Sequence, residues 1–296
     1  MERNKTFILD LERKQVNQEI SKIGYSSYRS DQIWHSIYKE LVSDFDEIHT
    51  IPKSLIVDLK NEYLFNPIDL VMKDHSKDKS TDKYLWKLQD NEFIETVLMR
   101  YDPDGHRRRR RTVCVSTQAG CALGCTFCAT GQQGFSRQLT VGEIVGQVLK
   151  VKKDAFEEKK RIMIEEKRKM HEMTDITNIV FMGMGEPLAN YENTMASIRI
   201  LNDPKGLNIG TRHITISTVG LVPQIIKLAD EDIQVNLAVS LHAPDNVTRS
   251  QTMPVNKRYP IEKLIEACKV YVGKTNRKIF FEYVLLSGQN DTEEHA

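Results

Sequence analysis

The chain has 296 residues, of which 28% are charged and 40% apolar, and its net charge is +1. That length buries a sizeable core and holds one large domain or two unequal ones, and the composition is ordinary for a soluble globular protein. No apolar stretch reaches the roughly 18 residues a membrane span needs, and Met1 to Lys14 is too charge-dense for a signal peptide, so a cytoplasmic protein without a membrane partner is expected.

From Leu11 to Tyr63 apolar residues recur at helical spacing: Ile20, Ile23, then Ile33, Trp34, Ile37, Tyr38 and Leu41, with Ser43, Asp44 and Pro52 as punctuation. This predicts a small helical domain over residues 1–66. Between Ile68 and Val115 the pattern changes to strands. Tyr84 and Trp86 alternate with Leu85 and Lys87, Asp90-Asn91 marks a turn, and Phe93 to Tyr101 forms a second arm, so residues 67–112 read as a linking β-hairpin. Five consecutive arginines, Arg107 to Arg111, end it. A local basic patch can grip phosphates in a chain that is neutral overall, although a charge run also serves as a solvated face.

Cys121, Cys125 and Cys128 then stand in a C-x3-C-x2-C run, CALGCTFC, with Gly120, Gly124 and Gly131 around it. Glycines let a short loop curl so that three sulfurs point inward. The spacing matches three ligands of an iron–sulfur cluster and leaves one iron open to a second molecule, as a catalytic zinc keeps an open position. Disulfides suit secreted chains. Zinc would need a fourth ligand, such as Cys114 or a histidine, and the paired C-x2-C knuckles usual for zinc are missing.

After the cysteines, strands alternate with helices. The expected strands are Val113 to Thr117, Ile179 to Met182, His213 to Thr218, Val235 to Leu241 and Lys278 to Leu285; the expected helices are Val141 to Lys152, Glu192 to Leu201, Val222 to Ala229 and Ile261 to Val272. This rhythm predicts a parallel α/β core over residues 113–296. In such a core the ends of the strands form the active face. They carry the cysteine run, Gly183-Met184-Gly185-Glu186-Pro187, Ser217-Thr218 and Ser240-Leu241-His242.

The Lys152 to Met173 stretch mixes Lys and Glu and reads as a solvent-exposed helical extension. Asn290 to Glu294 reads as a helix start, with Asp291 as cap and Glu294 three residues on, yet two residues follow. The expectation is a fragment that lacks at least a helix and another strand.

At CALGCTFCATGQQGF the chain resembles the radical S-adenosylmethionine enzymes of the RlmN/Cfr group, which methylate adenine C2 or C8 in RNA. The resemblance continues through CVSTQAGC, LTVGEIVGQV, NIVFMGMGEPLAN, ITISTVG, VNLAVSLHAP and MPVNKRYPI, and GMGEPLAN and ATGQQGF look like the C2-specific branch. It implies a partial (βα)6-type radical SAM barrel, here incomplete. It also implies a [4Fe-4S] cluster on Cys121, Cys125 and Cys128, with S-adenosylmethionine bound through Gly185, Glu186, Ser217, Ser240, Leu241 and His242.

The implied catalytic residues are Glu95, as proton acceptor, and Cys114, as the thiol that resolves a covalent enzyme–RNA intermediate. The implied partners are 23S rRNA, tRNA and an electron donor such as flavodoxin, for a monomeric protein. The family's methyl-carrying cysteine and a cofactor-binding asparagine lie in a C-terminal segment that has no counterpart in this sequence. Cys268, the remaining cysteine, shares a helical face with Leu264 and Ile265 and reads as core.

Overall fold

The computed structural model describes residues 5–102, 109–166 and 176–295. Three helices come first, α1 (Arg13–Lys22), α2 (Tyr28–His35) and α3 (Lys53–Glu62), then four strands, β1 (Ile68–His75), β2 (Thr81–Leu88), β3 (Phe93–Tyr101) and β4 (Arg110–Cys114). A short pair, β5 (Gln118–Gly120) and β6 (Phe135–Gln138), flanks α4 (Ala129–Gln133), and α5 (Val141–Glu166) follows. Strands and helices then alternate as β7 (Asn178–Phe181), α6 (Tyr191–Asn202), β8 (Ile214–Thr218), α7 (Val222–Leu228), β9 (Asn236–Ser240), α8 (Asn246–Thr252), α9 (Ile261–Thr275) and β10 (Ile279–Glu282).

The chain forms two compact units, one of Met1–Val113, Thr140–Asn178 and Met195–Ile209, the other of Cys114–Leu139, Ile179–Thr194 and Gly210–Ala296. These units interleave along the sequence, where the reading above runs in chain order. Polar ties explain why later helices join the N-terminal residues: Gly142 N donates to Asp10 Oδ1 at 2.7 Å, and Arg13 Nε to Asp203 Oδ2 at 3.0 Å.

In the first unit the helical spacing puts Val16, Ile20, Ile33, Trp34, Ile37, Tyr38, Leu55 and Leu59 into the core. Strand β2 alternates as expected, with Tyr84 and Trp86 inside and Lys83 and Lys87 outside. It pairs antiparallel with β3, Trp86 opposite Ile94, and Trp86 Nε1 donates to Thr96 Oγ1 at 2.9 Å. The Asp90-Asn91 turn places Asn91 at φ +68°, a conformation asparagine tolerates. Strand β1 adds a third arm beside β2 that the sequence pattern does not announce, because Leu70, Val71 and Met72 are all exposed.

The second unit carries a parallel ladder in the order β7-β8-β9-β10. Phe181, Ile216, Leu237 and Ile279 stand in register across it. Leu237, Ala238 and Val239 of β9 are buried in succession, as in a strand covered on both faces. On α9 Leu264, Ala267, Cys268, Tyr271 and Thr275 make one buried stripe, which packs against α7.

Boundaries shift for local reasons. The strand expected at Val113 to Thr117 is assigned only as far as Cys114, although Val115 N still donates to Val180 O at 3.0 Å and Thr117 N to Met184 O at 2.9 Å. The last strand shortens to Ile279–Glu282 because Asn290 takes over the following backbone, donating to Val284 O at 2.7 Å and accepting from Leu286 N at 2.6 Å. The Lys/Glu stretch extends α5 to Glu166, and its remainder to Met173 lies outside the described residues. The helix start expected near Asp291 is a single 3-10 turn, Glu293–His295. No helix among the described residues is long and apolar enough to cross a membrane.

Candidate active site

Most of the groups on the strand-end loops of the second unit converge on one cavity of about 470 Å³. Its wall includes Cys121, Cys125, Cys128, Gly185, Glu186, Ser217, Ser240 and His242. Thus eight of the nine residues anticipated for cluster and cofactor meet in space. The ninth, Leu241, is not in the wall: its N donates to Glu282 O at 3.0 Å and its O accepts from Arg249 Nε at 3.0 Å.

The cysteine loop leaves β5 and returns through α4 to β6. Cys121 N donates to Gly134 O at 2.7 Å and Cys128 N to Cys125 O at 3.1 Å, which curls the three thiols toward one side. Gly120 has φ +74°, and a Cβ there would lie 2.0 Å from the Gly134 carbonyl oxygen; no other residue fits. At the foot of the excursion Leu139 N donates to Thr117 O at 3.1 Å. Asn190 Nδ2 bonds both stems, to Thr117 O at 2.9 Å and Leu139 O at 2.8 Å.

Burial pushes the Cys125 thiol up to about 12, helped by the neighbouring Cys121, Cys128 and Glu186. Cys121 is raised too, first by burial and then by Glu186 and Cys128. These two thiols resist ionising by themselves and are relieved by a cationic group that binds the sulfurs. Single zinc would hold its sulfurs about 3.8 Å apart, from Zn–S bonds of about 2.3 Å in a tetrahedron. Among the described residues the one group of potential ligands gathered within 4.8 Å is Asp82, Asp154 and Glu158 in the first unit, so the thiols are spread wider than a single metal requires. The donor set fits a cluster of several irons.

Opposite the thiols, Gly185 has φ +94° and packs where a Cβ would be 2.4 Å from Gln118 Cβ. Gln118 Oε1 in turn accepts from Glu186 N at 2.7 Å. The Glu186 carboxyl is pushed up to about 7 by burial, against bonds from Val219 N at 2.9 Å and Leu188 N at 3.1 Å. His242 stands at φ +56°, edge-on to Phe127 with ring centroids 4.9 Å apart. Its Nδ1 accepts from Val284 N at 3.0 Å, which leaves the ring proton on Nε2. Burial pushes its pKa down, so it is neutral at pH 7.

Two residues escaped sequence reasoning. Glu282 closes β10 inside the cavity wall and accepts from Ser217 Oγ at 2.7 Å and Ser240 Oγ at 3.4 Å. Its signal was available: an acidic residue ending the apolar run Ile279–Glu282, at the same end of the ladder as the others. Arg249 is fully buried on α8, in the polar stretch Asn246–Thr252, which looks like a solvated surface in sequence.

Cys114 belongs to this unit but does not line the cavity; its sulfur accepts from the Met182 backbone, and burial pushes it up to about 11. Met182 and Glu282, which act on it, do line the cavity. Glu95 lies in the first unit on β3, half-exposed, with Lys83 Nζ 3.0 Å from its carboxylate. Of the arginine run, Arg107 and Arg108 lie outside the described residues. Arg109 and Arg111 approach Asp102 at 3.6 and 3.2 Å, and Arg110 sits over the Tyr101 ring.

Residues 6–64 match the ribosomal RNA large subunit methyltransferase N-terminal domain, and residues 115–296 match the radical SAM superfamily. The chain is 45% identical over 289 residues to a probable dual-specificity RNA methyltransferase RlmN of Dictyoglomus thermophilum, covering 98% of this chain and 77% of that one. It is 44% identical to the dual-specificity RNA methyltransferase RlmN 1 of Myxococcus xanthus, covering 98% and 75%. The crystal structure of a radical SAM methyltransferase from Sphaerobacter thermophilus superposes with a TM-score of 0.87 at 45% identity, over 98% of this chain and 79% of the other. With the cysteine loop and the parallel ladder on which it opens, these likenesses show that the chain belongs to the RlmN family of radical SAM methyltransferases.

Proposed function

We propose that the chain methylates C2 of an adenine in 23S rRNA and in tRNA by way of a methyl-cysteine. The observation that carries this reading is the thiol trio sharing one cavity with Glu186, Ser217, Ser240 and His242. The first is a donor set for several irons; the second is a polar lining suited to an amino acid joined to a nucleoside. The RNA comes from the relatives, whose names give dual-specificity RNA methyltransferases.

When bound, a [4Fe-4S] cluster supplies one low-potential electron, delivered by a carrier such as flavodoxin, and S-adenosylmethionine supplies the methyl group and the radical source. Cys121, Cys125 and Cys128 would hold the iron as thiolates. Gly185 brings backbone close to the cofactor, and Glu186, Ser217, Ser240 and the Leu241-His242 backbone shape its pocket. His242 offers an Nε2–H donor, and Glu282 an acceptor that the two serines orient. Glu95 takes a proton in the methylation step. Cys114 resolves the covalent enzyme–RNA bond: its sulfur forms an S–S bond to the methyl-carrying sulfur as the S–CH2 bond breaks, the electron pair of that bond passing to the RNA base, which takes up a proton; its burial keeps it a protonated, unreactive thiol beforehand.

Cys268, buried in the α9 stripe, is a core residue and not the methyl carrier. The cluster and cofactor part of the reading is tested by cleavage of S-adenosylmethionine. Anaerobic reconstitution should load about four irons per chain and, with dithionite, yield 5′-deoxyadenosine. Failure to hold iron, or tight binding of a single zinc, sinks the cluster reading. Mass spectrometry finding the methyl at C8 of the adenine would refute C2.

A further inference from the structure

Arg249 has no exposed surface, and all its bonds among the described residues go to neutral oxygens. Nε donates to Leu241 O at 3.0 Å, Nη1 to Asn256 Oδ1 at 2.9 Å, and Nη2 to Val219 O at 2.7 Å and Ser240 O at 3.1 Å. Among the described residues no carboxylate forms an ion pair with it. A buried cation without a counter-ion is among the more expensive groups a fold can hold, and pinning three carbonyls does not require a full charge.

The missing anion is next door. Helix α8 is bonded to the cysteine loop, Thr126 N donating to Thr252 O at 2.9 Å, and Pro254 Cγ lies 4.0 Å from where a Gly124 Cβ would be. Thr126 and Gly124 flank Cys125, itself buried. Arg249 lies three residues before Thr252 on this helix, and the Ser240 and Leu241 carbonyls it binds belong to the strand end that brings Ser240 and His242 into the same cavity as the three thiols.

We propose that Arg249 is the fixed counter-charge of the cysteine trio, a positioning residue whose guanidinium offsets the negative charge on the thiolates and so favours the one-electron-reduced form of a cluster held there. Three thiolates around a [4Fe-4S] core of charge +2 leave about −1, and reduction makes this about −2. Reduction takes one electron from a low-potential one-electron donor and breaks no bond, so the cation stabilises the product more than the reactant. The inference rests on the cluster reading above.

The test is the midpoint potential of the reconstituted cluster, titrated with dithionite and mediators and read by electron paramagnetic resonance. Arg249→Gln removes the charge and should lower the reduced-to-oxidised ratio at fixed potential at least tenfold, about 59 mV for one electron. Arg249→Lys keeps the charge but loses the fork; its midpoint should stay near wild type even if iron loading falls. A merely structural pin would move loading and leave the potential in place.

If Arg249→Gln loads no iron, Asn256→Asp carries the test by setting a carboxylate where the guanidinium now donates, and it should shift the potential in the same direction. A wild-type midpoint in Arg249→Gln or, failing that, in Asn256→Asp overturns the proposal, as does a tenfold shift in Arg249→Lys. A wild-type chain that takes up no iron overturns the cluster reading and this proposal together.

Discussion

The Ser217 hydroxyl donates to the Glu282 carboxylate at 2.7 Å, joining the ends of β8 and β10 over the cavity. The carboxylate is thereby aimed by a neighbour two strands away in the ladder, with Ser240 between them contributing a longer bond of 3.4 Å. A charged acceptor fixed in this way is suited to hydroxyls or to a cationic centre on the cofactor. Replacing it by glutamine removes the charge and keeps the shape. Glu282→Gln should bind S-adenosylmethionine about tenfold more weakly, at the low end of what a hydrogen bond to a charged group contributes. Equilibrium dialysis on cluster-loaded protein measures it, and an unchanged Kd would exclude a cofactor contact.

Gly120→Ala should destroy the metal loop rather than merely weaken it. The left-handed φ alone costs about 1–2 kcal/mol, and the new methyl would overlap the Gly134 carbonyl. The carbonyl cannot retreat without breaking its bond from Cys121 N. The expected result is iron content near zero with the remainder of the fold retained, read by metal analysis and circular dichroism together. Full iron loading would show that the loop tolerates another path.

Glu186 gives the metal-free chain a pH-dependent stability. Folded, its carboxyl keeps its proton up to about pH 7; unfolded, it loses the proton near 4.5. The folded state thus binds more protons between these values, and stability falls as pH rises through that window, then levels off above 7. The integrated effect is about 3 kcal/mol at most. Urea unfolding of the wild type at pH 5 and pH 8 should show a decline that is smaller in Glu186→Gln. Equal pH dependence in the two proteins would rule out Glu186 as the source.

Asp102 restrains the arginine run. It stands 3.2 Å from Arg111 and 3.6 Å from Arg109. If these guanidinium groups meet RNA phosphates, Asp102→Asn should tighten binding at low salt, and replacing Arg109 and Arg111 by glutamine should loosen it. Each lost phosphate contact should flatten the plot of log K against log salt by about 0.7–0.9. An unaltered slope removes the run from the RNA interface.

The parallel ladder was legible because its strands bury alternate or successive branched residues, as in Ile214–Thr218 and Asn236–Ser240, and α9 because its stripe repeats at three and four residues. The cavity was legible because its residues sit at corresponding ends of those strands. Three elements were not. Strand β1 exposes both faces of its middle, so period two carries no signal there. The pair β5 and β6 is held by backbone bonds around a glycine contact rather than by apolar alternation. Arg249 is buried by carbonyls drawn from Val219, Ser240 and Leu241, partners that only the tertiary fold assembles. Side-chain type announces chemistry when it departs from its surroundings, as three cysteines do; an arginine in a polar helix does not.

The single amide of Asn190, bonded to Thr117 O and Leu139 O, ties off the whole cysteine excursion at its base. The ends of the loop are therefore held together by hydrogen bonds of the protein, which offset part of the chain entropy of closing it. The receptacle is thus closed at its base by a side chain from outside the loop, independently of the three sulfurs at its far end.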